Sequence, residues 1–561
     1  MNEQNDNRSQ GEIRLHLNEN AWGPSPAARR ALRNADAGDL AFYPDPRRTA
    51  GETAAFHGVR PENVLLTNGA DEAIHAAVRA LVPAGGKILL PVPSFSVYEE
   101  AARLRGARIE TALYGPDLAF PLAEVIGKIN AGIRLIVVVT PNNPTGTVVK
   151  RPDLKKILIE AGTIPVVVDE TYAMFAGLRH GGMLRRHPNL IVIGSFSKFF
   201  GLAGLRLGYV LAAPENVRKL DAVLPEYPVN AVALLAAAAA MKDRPYQQKV
   251  RREAAAQKAY LSRGLSRLGV QVFPGGANFL VARIGPGAEA AAEGLRKAGI
   301  LVKDVSRRPR LEGCLRVTVG KKKDNERFLN VVNGFLPPQA VLFDMDGVLV
   351  DVRESCRRTM QAVAERFLER PVPMKALDEY KQRPGMNNDW DCVEAFLRAE
   401  GIRTSRAAVV RLFQEIYFGE NGKGLISREA WVPAKDMLAR LAGRYKLGIV
   451  TGRPRAEALY TLEKFGASGF FSVLIGMEDT GRKPKPDPHG VRLAMKKLGA
   501  RRAVYIGDIP DDMRAARGAG ALPVAVLPDG GPDRESSEIK LRRAGAKKII
   551  ADVTHIEEIL P

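Results

Sequence analysis

The sequence predicts an α/β protein, with that architecture occurring twice along 561 residues. Three observations carry this. Short, continuous β-branched and aliphatic runs bounded by Gly, Pro or Asp recur in both halves, as parallel strands buried on both faces require. Helical stretches fall between them, and such alternation marks a parallel sheet covered by helices. A double proline, Pro337-Pro338, separates one set of runs from the next, and two prolines stop regular structure and stiffen a linker. The expected division is a first domain over 1–335, a linker over 336–339 and a second domain over 340–561.

In the first domain the strand-like runs are 64–66, 88–90, 135–139, 166–168 and 190–193, with helical stretches at 71–81 and 153–161. In the second they are 341–343, 447–450, 504–506 and 524–527. Residues 352–430, rich in Arg, Glu, Ala and Leu, read instead as helices between one strand end and the next motif. That placement is expected of an inserted helical cap, with Trp390 and Phe396 in its core. No fixed-period repeat suggests a solenoid.

Composition narrows the class. Hydrophobic residues are 46%, charged 26% and aromatic 6%, which excludes a wholly disordered, collagen-like or membrane-embedded chain. The longest apolar run, 231–241, is too short to span a bilayer and reads as a buried Ala-rich helix. The amino terminus has no apolar signal-like segment. Cys314, Cys356 and Cys392 form no paired spacing, so no disulfide framework or zinc site is expected, and a reducing cytoplasm fits. The net charge is +21, with 46 basic against 31 acidic residues in 1–336 and 37 against 31 in 337–561. The basic residues are scattered apart from Lys321-Lys322-Lys323, which reads as a solvated surface, and no nucleic-acid partner is expected. Anionic small-molecule substrates give a milder reason for the charge.

The first chemical constellation is Ser195-Phe196-Ser197-Lys198, after a strand, with Arg206 eight positions on. Lysine can form a Schiff base and then shuttle a proton, while two hydroxyls and a guanidinium suit a phosphate monoester. Asp169 ends another strand, where a carboxylate can hold a pyridine nitrogen protonated and make the ring an electron sink. Tyr172 lies within reach of a ring hydroxyl. Thr140-Pro141-Asn142-Asn143-Pro144 is a rigid turn with amides free to bond a ring oxygen, and Asn68-Gly69-Ala70-Asp71 opens a helix whose N–H groups can bind phosphate.

In this order and spacing the motifs resemble the fold-type I pyridoxal-phosphate aminotransferases, and within them the histidinol-phosphate aminotransferases. Asn18-Glu19-Asn20, Tyr43-Pro44-Asp45, Gly69-Ala70-Asp71-Glu72 and Leu315-Arg316-Val317 match family strings over about 10–335. The resemblance implies a three-layer αβα fold with a mostly parallel sheet. It implies that Lys198 carries pyridoxal phosphate and moves the substrate proton, that Asp169 pairs the ring nitrogen, and that Tyr172 and Asn143 bond the ring oxygen. Ser195, Ser197, Arg206 and the N–H groups of Ala70 and Asp71 would hold the cofactor phosphate, with Phe95 stacked on the ring. Tyr43 would reach the cofactor phosphate of a partner subunit, which implies a homodimer. Arg316 would bind the anionic end of the substrate, and Lys303 stands where the family has a second phosphate-binding arginine. A phosphothreonine decarboxylase of the same fold is the competing reading.

The second constellation is four strand-end motifs in order. Asp344 and Asp346 follow a strand at i and i+2, so one can attack phosphorus while the other handles protons. Thr451 supplies a hydroxyl, Lys483-Pro484-Lys485-Pro486-Asp487 a lysine in a stiff loop, and Asp508 and Asp512 carboxylates for a hard cation, Mg²⁺. This set is similar to the haloacid dehalogenase superfamily, in its helically capped subfamily with a Rossmann-like core. The resemblance implies Asp344 as nucleophile and Asp346 as acid then base. Thr451 and Lys483 would neutralise the phosphoryl group, with Lys485 the competitor for the lysine role. Asp344, Asp346, Asp508 and Asp512 are the expected metal set. Asn387 to Trp390 read as a capped helix start that could also reach a ligand.

Together these readings give a bifunctional enzyme acting on small phosphorylated substrates. It would be a transaminase of histidinol phosphate and imidazole acetol phosphate followed by a Mg²⁺-dependent phosphatase. A phosphatase or phosphomutase of unrelated substrate is the alternative for the second half.

Overall fold

Burial sets the frame of each half, because the aliphatic runs form the central strands of two separate sheets. The computed structural model describes residues 12–381, 383, 386, 388–529 and 534–560. The chain divides into two units, Met1–Leu336 and Pro337–Pro561.

In the first unit seven strands lie in the order Val64–Thr67, Gly208–Ala212, Leu190–Ser195, Val166–Asp169, Ile133–Val139, Lys87–Val92 and Arg108–Leu113. All are parallel except Gly208–Ala212, which runs against both its neighbours. Val166–Asp169 is buried throughout at the centre, which is why it reads as an uninterrupted Val run. A second sheet joins Ile13–Leu15, Ile300–Asp304, Cys314–Thr318, Phe279–Arg283 and Gln271–Phe273. Helices Gly69–Leu81 and Arg151–Glu160 stand where helical stretches were expected. The run from 231 is the helix Ala231–Lys242, capped by the Asn230 side chain.

Glycine permits one close approach that matters here. Gly69 has φ +81°, and a Cβ on it would lie 2.7 Å from Arg206 Nη2. Arg206 can therefore pack directly over the helix start.

The second unit has six parallel strands in the order Val473–Ile475, Lys446–Val450, Ala340–Phe343, Ala503–Gly507, Leu522–Val526 and Lys548–Ile550. Ala340–Phe343 pairs with strands on both sides, so the winding reverses at its carboxyl end. In open parallel sheets that reversal opens a crevice for ligands. The chain leaves the sheet at Val350–Asp351 and returns at Ala430–Trp431, which pair antiparallel. Between them lie Cys356–Leu368, Met374–Lys381, Asp389–Ala399 and Arg406–Tyr417. Phe396 is buried, and half-buried Trp390 packs edge-on to Phe413 at 6.4 Å.

Among the described residues no helix is long and apolar enough to cross a membrane. The three cysteines are free and buried.

Candidate active sites

The first site gathers at the carboxyl ends of the large sheet. Asp169 ends the central strand with its carboxylate buried. Oδ2 accepts from Tyr98 Oη at 3.3 Å and Oδ1 from the Thr171 amide at 3.0 Å. Among the described residues no cation stands within ion-pair distance of it, and burial pushes its acid upward. A buried carboxylate without a counter-charge, facing a cavity, suits a protonated ring nitrogen.

That cavity holds about 760 Å³ and is lined by Lys198, Asp169, Tyr172, Asn143, Phe95, Ser195, Ser197, Ala70, Asp71, Arg206, Lys303 and Arg316. Most of the expected first-half residues thus meet in one place. Lys198 Nζ donates to the Leu17 carbonyl at 2.9 Å. Ser197 Oγ is buried without a partner, next to the first turn of Gly69–Leu81, where helix N–H groups lack partners within the helix. Arg206 pairs with Asp71 at 2.8 Å across that turn. These are the donors a phosphate would use, so the residues present fit pyridoxal phosphate.

Local folding aims the remaining groups. The Asn142 side chain donates to the Pro93 carbonyl and to Thr145 Oγ1, both at 2.9 Å, which locks the turn that presents Asn143. Asn143 Oδ1 accepts from Arg316 Nη1, and Arg316 Nη2 donates to the His16 carbonyl. Tyr172 Oη accepts from Asn18 Nδ2 at 3.0 Å. Lys303 pairs in register with Arg316 on the neighbouring strand. Tyr43 lies elsewhere. It is 77% exposed, stacked on Tyr227 at 4.1 Å, and outside this chain's own cofactor cavity.

The second site gathers at the switch point of the smaller sheet. Asp344 follows Ala340–Phe343, Thr451 follows Lys446–Val450 and Asp508 follows Ala503–Gly507. One oxygen each of Asp344, Asp508 and Asp512 lies within 4.8 Å of the others. Asp344 Oδ1 is buried with no partner, and Oδ2 is 2.9 Å from Lys485 Nζ. Burial pushes Asp344 well above the ordinary carboxylate range, with Lys485 opposing and the neighbouring carboxylates adding. Asp508 is pushed up to about 7 by burial and Asp512. Three carboxylates facing one ammonium leave a charge deficit that suits a divalent cation. Asp512 is already engaged. Its Oδ2 accepts from the amides of Asp508 and Ile509, and its Oδ1 from Lys485 and Tyr505. These bonds hold its carboxylate in place beside those of Asp344 and Asp508.

Two expectations are corrected here. Lys483 is exposed, and Lys485, buried between Asp344 and Asp512, is the lysine of the site. The Lys483 amide is tied to the Thr480 carbonyl at 3.0 Å, so the loop turns there and the side chain faces solvent. Lys485→Met is therefore expected to lower phosphate-ester hydrolysis by about 10²-fold or more, as for loss of a buried charge-stabilising donor. Lys483→Met should change it by less than about threefold, as at an ordinary surface position. Steady-state rates of the two purified variants decide between the lysines. The second correction concerns Asp346, whose carboxylate lies outside the cluster of Asp344, Asp508 and Asp512. Arg453 Nε donates to its Oδ1 at 2.8 Å, and Arg453 Nη2 also reaches Glu429 at 2.7 Å.

Arg453 was not anticipated, although a cation directly after Thr451-Gly452 was a visible signal. The cap residues Arg357 and Lys381 and the core residue Glu457 arrive only through tertiary closure, whereas Asp389 and Trp390 belong to the helix start expected to be able to reach a ligand, and both line the cavity. Asn388 caps its helix, its Oδ1 accepting from the Trp390 and Asp391 amides, and it also lines the cavity. Asn387 lies outside the described residues. The cavity holds about 60 Å³.

Comparison with known proteins agrees with this geometry. Residues 10–332 match the family described as aminotransferase class I and II, and residues 338–520 match the haloacid dehalogenase-like hydrolases. Histidinol-phosphate aminotransferase 2 of Carboxydothermus hydrogenoformans is 34% identical over 329 residues, covering 56% of this chain and 89% of the relative. The histidinol-phosphate aminotransferase of Anaeromyxobacter sp. is 36% identical over 332 residues, covering 58% and 90%. The solved histidinol-phosphate aminotransferase of Sinorhizobium meliloti, in complex with pyridoxal phosphate, aligns with a TM-score of 0.55 at 24% identity over 58% of this chain and 90% of that one. That likeness concerns the fold. Both the fold and the two sites lead to one conclusion: the chain belongs to the class I and II aminotransferases, and behind that region it carries a haloacid dehalogenase-like hydrolase domain.

Proposed function

We propose that the first unit transaminates between glutamate and imidazole acetol phosphate, giving histidinol phosphate, and that the second hydrolyses histidinol phosphate to histidinol. The observation that carries this reading is the junction itself. A region similar to histidinol-phosphate aminotransferases runs into a hydrolase domain whose buried Asp344 faces Lys485 at a sheet switch point. Fusing consecutive steps raises the local concentration of the shared intermediate around the second site.

In the first site pyridoxal phosphate, when bound, supplies an electron sink for the substrate α-carbon. Asp169 would hold a proton on the ring nitrogen, Tyr172 and Asn143 would bond the ring oxygen, and Ser195, Ser197 and Arg206 would bind the phosphate. Lys198 removes and returns the α-proton of the substrate. Arg316 and Lys303 attract its anionic end. The exposed Tyr43, outside its own cavity, is free to serve the site of a second copy in a homodimer.

In the second site Asp344 and Asp508 would hold Mg²⁺, which would offset the carboxylate charge. An Asp344 oxygen attacks phosphorus, the ester P–O bond breaks, and Asp346 gives its proton to the leaving alkoxide. Asp346 then takes a proton from water, whose oxygen attacks the aspartyl-phosphate and releases phosphate and free Asp344. Lys485 and Thr451 neutralise the transferring group. The free, buried cysteines accord with a reducing cytoplasm.

Mixing the pyridoxal-phosphate-loaded chain with L-histidinol phosphate, without a keto acid, tests this reading. The expected result is conversion of the cofactor absorbance band to the pyridoxamine form, together with Mg²⁺-dependent phosphate release. An unchanged band with no phosphate release would overturn it.

A further inference from the structure

Glu457 stands on the first turn of the helix Arg455–Lys464 and lines the same cavity as Asp344 and Asp346. It is 8% exposed. One carboxyl oxygen accepts from Gln414 Nε2, on the cap, at 2.7 Å. Among the described residues no Lys, Arg or His nitrogen lies within ion-pair distance of it. The neighbouring charges are already matched. Arg453 is shared between Asp346 and Glu429 and donates its remaining Nη1 to Thr461 at 3.1 Å. Lys381 pairs with Asp389, and Arg357 with Asp378. Apart from Asp508, which faces the proposed cation, Glu457 is the carboxylate of this cavity left without an opposite charge.

Burial, with Asp346 and Asp389 adding and Gln414 and Arg453 opposing, pushes its acid up to about 7. Keeping an ionised carboxylate there without a partner is costly, and a ligand that brings a positive charge removes that cost. The cavity also carries Trp390 and Phe413, whose rings lie 6.4 Å apart and nearly perpendicular. Arg406 already stands over the Trp390 ring, 5.7 Å from its centroid, and an aromatic ring lining the same cavity as a carboxylate is a favourable environment for an organic cation.

Resting on the phosphatase reading, we infer that Glu457 makes the second site selective for phosphate monoesters whose alcohol carries a protonated amine near the ester oxygen. Its carboxylate accepts the ammonium hydrogen bond while the Trp390 ring flanks the rest of the alcohol. Esters without the amine leave Glu457 buried and unpaired, which is the strong form of discrimination.

The test uses the full chain with Mg²⁺ and two matched pairs of esters. One pair is L-histidinol phosphate and its deamino analogue, imidazolylpropyl phosphate. The other is phosphoethanolamine and ethyl phosphate. Wild-type kcat/KM should favour the amine-bearing member by about tenfold or more, the scale of a charge-assisted hydrogen bond. Glu457→Gln should bring that ratio toward one, and Glu457→Asp should keep part of it. Equal rates within both pairs for the wild type, or a ratio that survives in Glu457→Gln, would overturn the inference; the wild-type comparison needs no variant to fold. If the histidinol pair is inert but phosphoethanolamine outruns ethyl phosphate, the histidinol substrate falls and amine selection stands. If no ester is hydrolysed, the phosphatase reading falls and amine selection with it.

Discussion

Lys198→Ala is expected to abolish transamination, lowering 2-oxoglutarate formation from glutamate by about 10³-fold or more, because no other base in that cavity stands where it can move the α-proton. Asp169, Tyr172 and Asn143 line the same cavity, but Tyr172 and Asn143 are engaged by Asn18 and Arg316, and the Asp169 carboxylate accepts from Tyr98 and the Thr171 amide. The Lys198 ammonium makes one hydrogen bond, to the Leu17 carbonyl. Its loss should therefore change stability by no more than about 1 kcal/mol. The variant should still bind pyridoxal phosphate through Ser195, Ser197 and Arg206, with an absorbance band altered by loss of the covalent link. Phosphate release from histidinol phosphate should persist, since none of the hydrolase groups is touched. Parallel assays of both activities on one preparation check this.

Asp344→Asn is the mirror experiment. Removing the nucleophile should lower phosphate release by about 10⁴-fold or more while transamination persists. A second readout follows from the electrostatics. Asp344, Asp508 and Asp512 crowd within 4.8 Å with Lys485 as the cation between them, so a bound divalent ion should raise the melting transition of the second unit. At a hundredfold excess over its dissociation constant, that stabilisation is about 2.7 kcal/mol. Asp344→Asn should lose most of the Mg²⁺-dependent rise. A rise of the same size in the variant would show that the ion sits elsewhere.

The central strands were legible because a strand buried on both faces needs an unbroken aliphatic run, and 135–139 and 166–168 have little else. Strands of the small sheet, such as Gln271–Phe273, are too short and too mixed in polarity to stand out. Gly208–Ala212 was missed because nothing in its composition tells that it runs antiparallel between two neighbours. Site residues fixed to strand ends, such as Asp169, Asp344 and Asp508, could be read because a strand end faces the crevice by construction. The Lys-Pro-x-Pro-Asp register points to Lys483, but the loop turns at that residue and brings Lys485 to Asp344 instead. Asp346 was assigned to the metal because its partner, Arg453, lies more than a hundred residues away. Glu457 has no local signal, because what marks it out, the lack of an ion-pair partner among the described residues, depends on where distant charges such as Arg453 are spent.

The most direct test of the fused function supplies the full chain, with pyridoxal phosphate and Mg²⁺, with glutamate and imidazole acetol phosphate, and follows 2-oxoglutarate and inorganic phosphate together. The expected result is equal amounts of both, with histidinol as the final product and histidinol phosphate only as a transient. Formation of 2-oxoglutarate while histidinol phosphate accumulates and no phosphate appears would contradict the assignment of the second site to the product of the first.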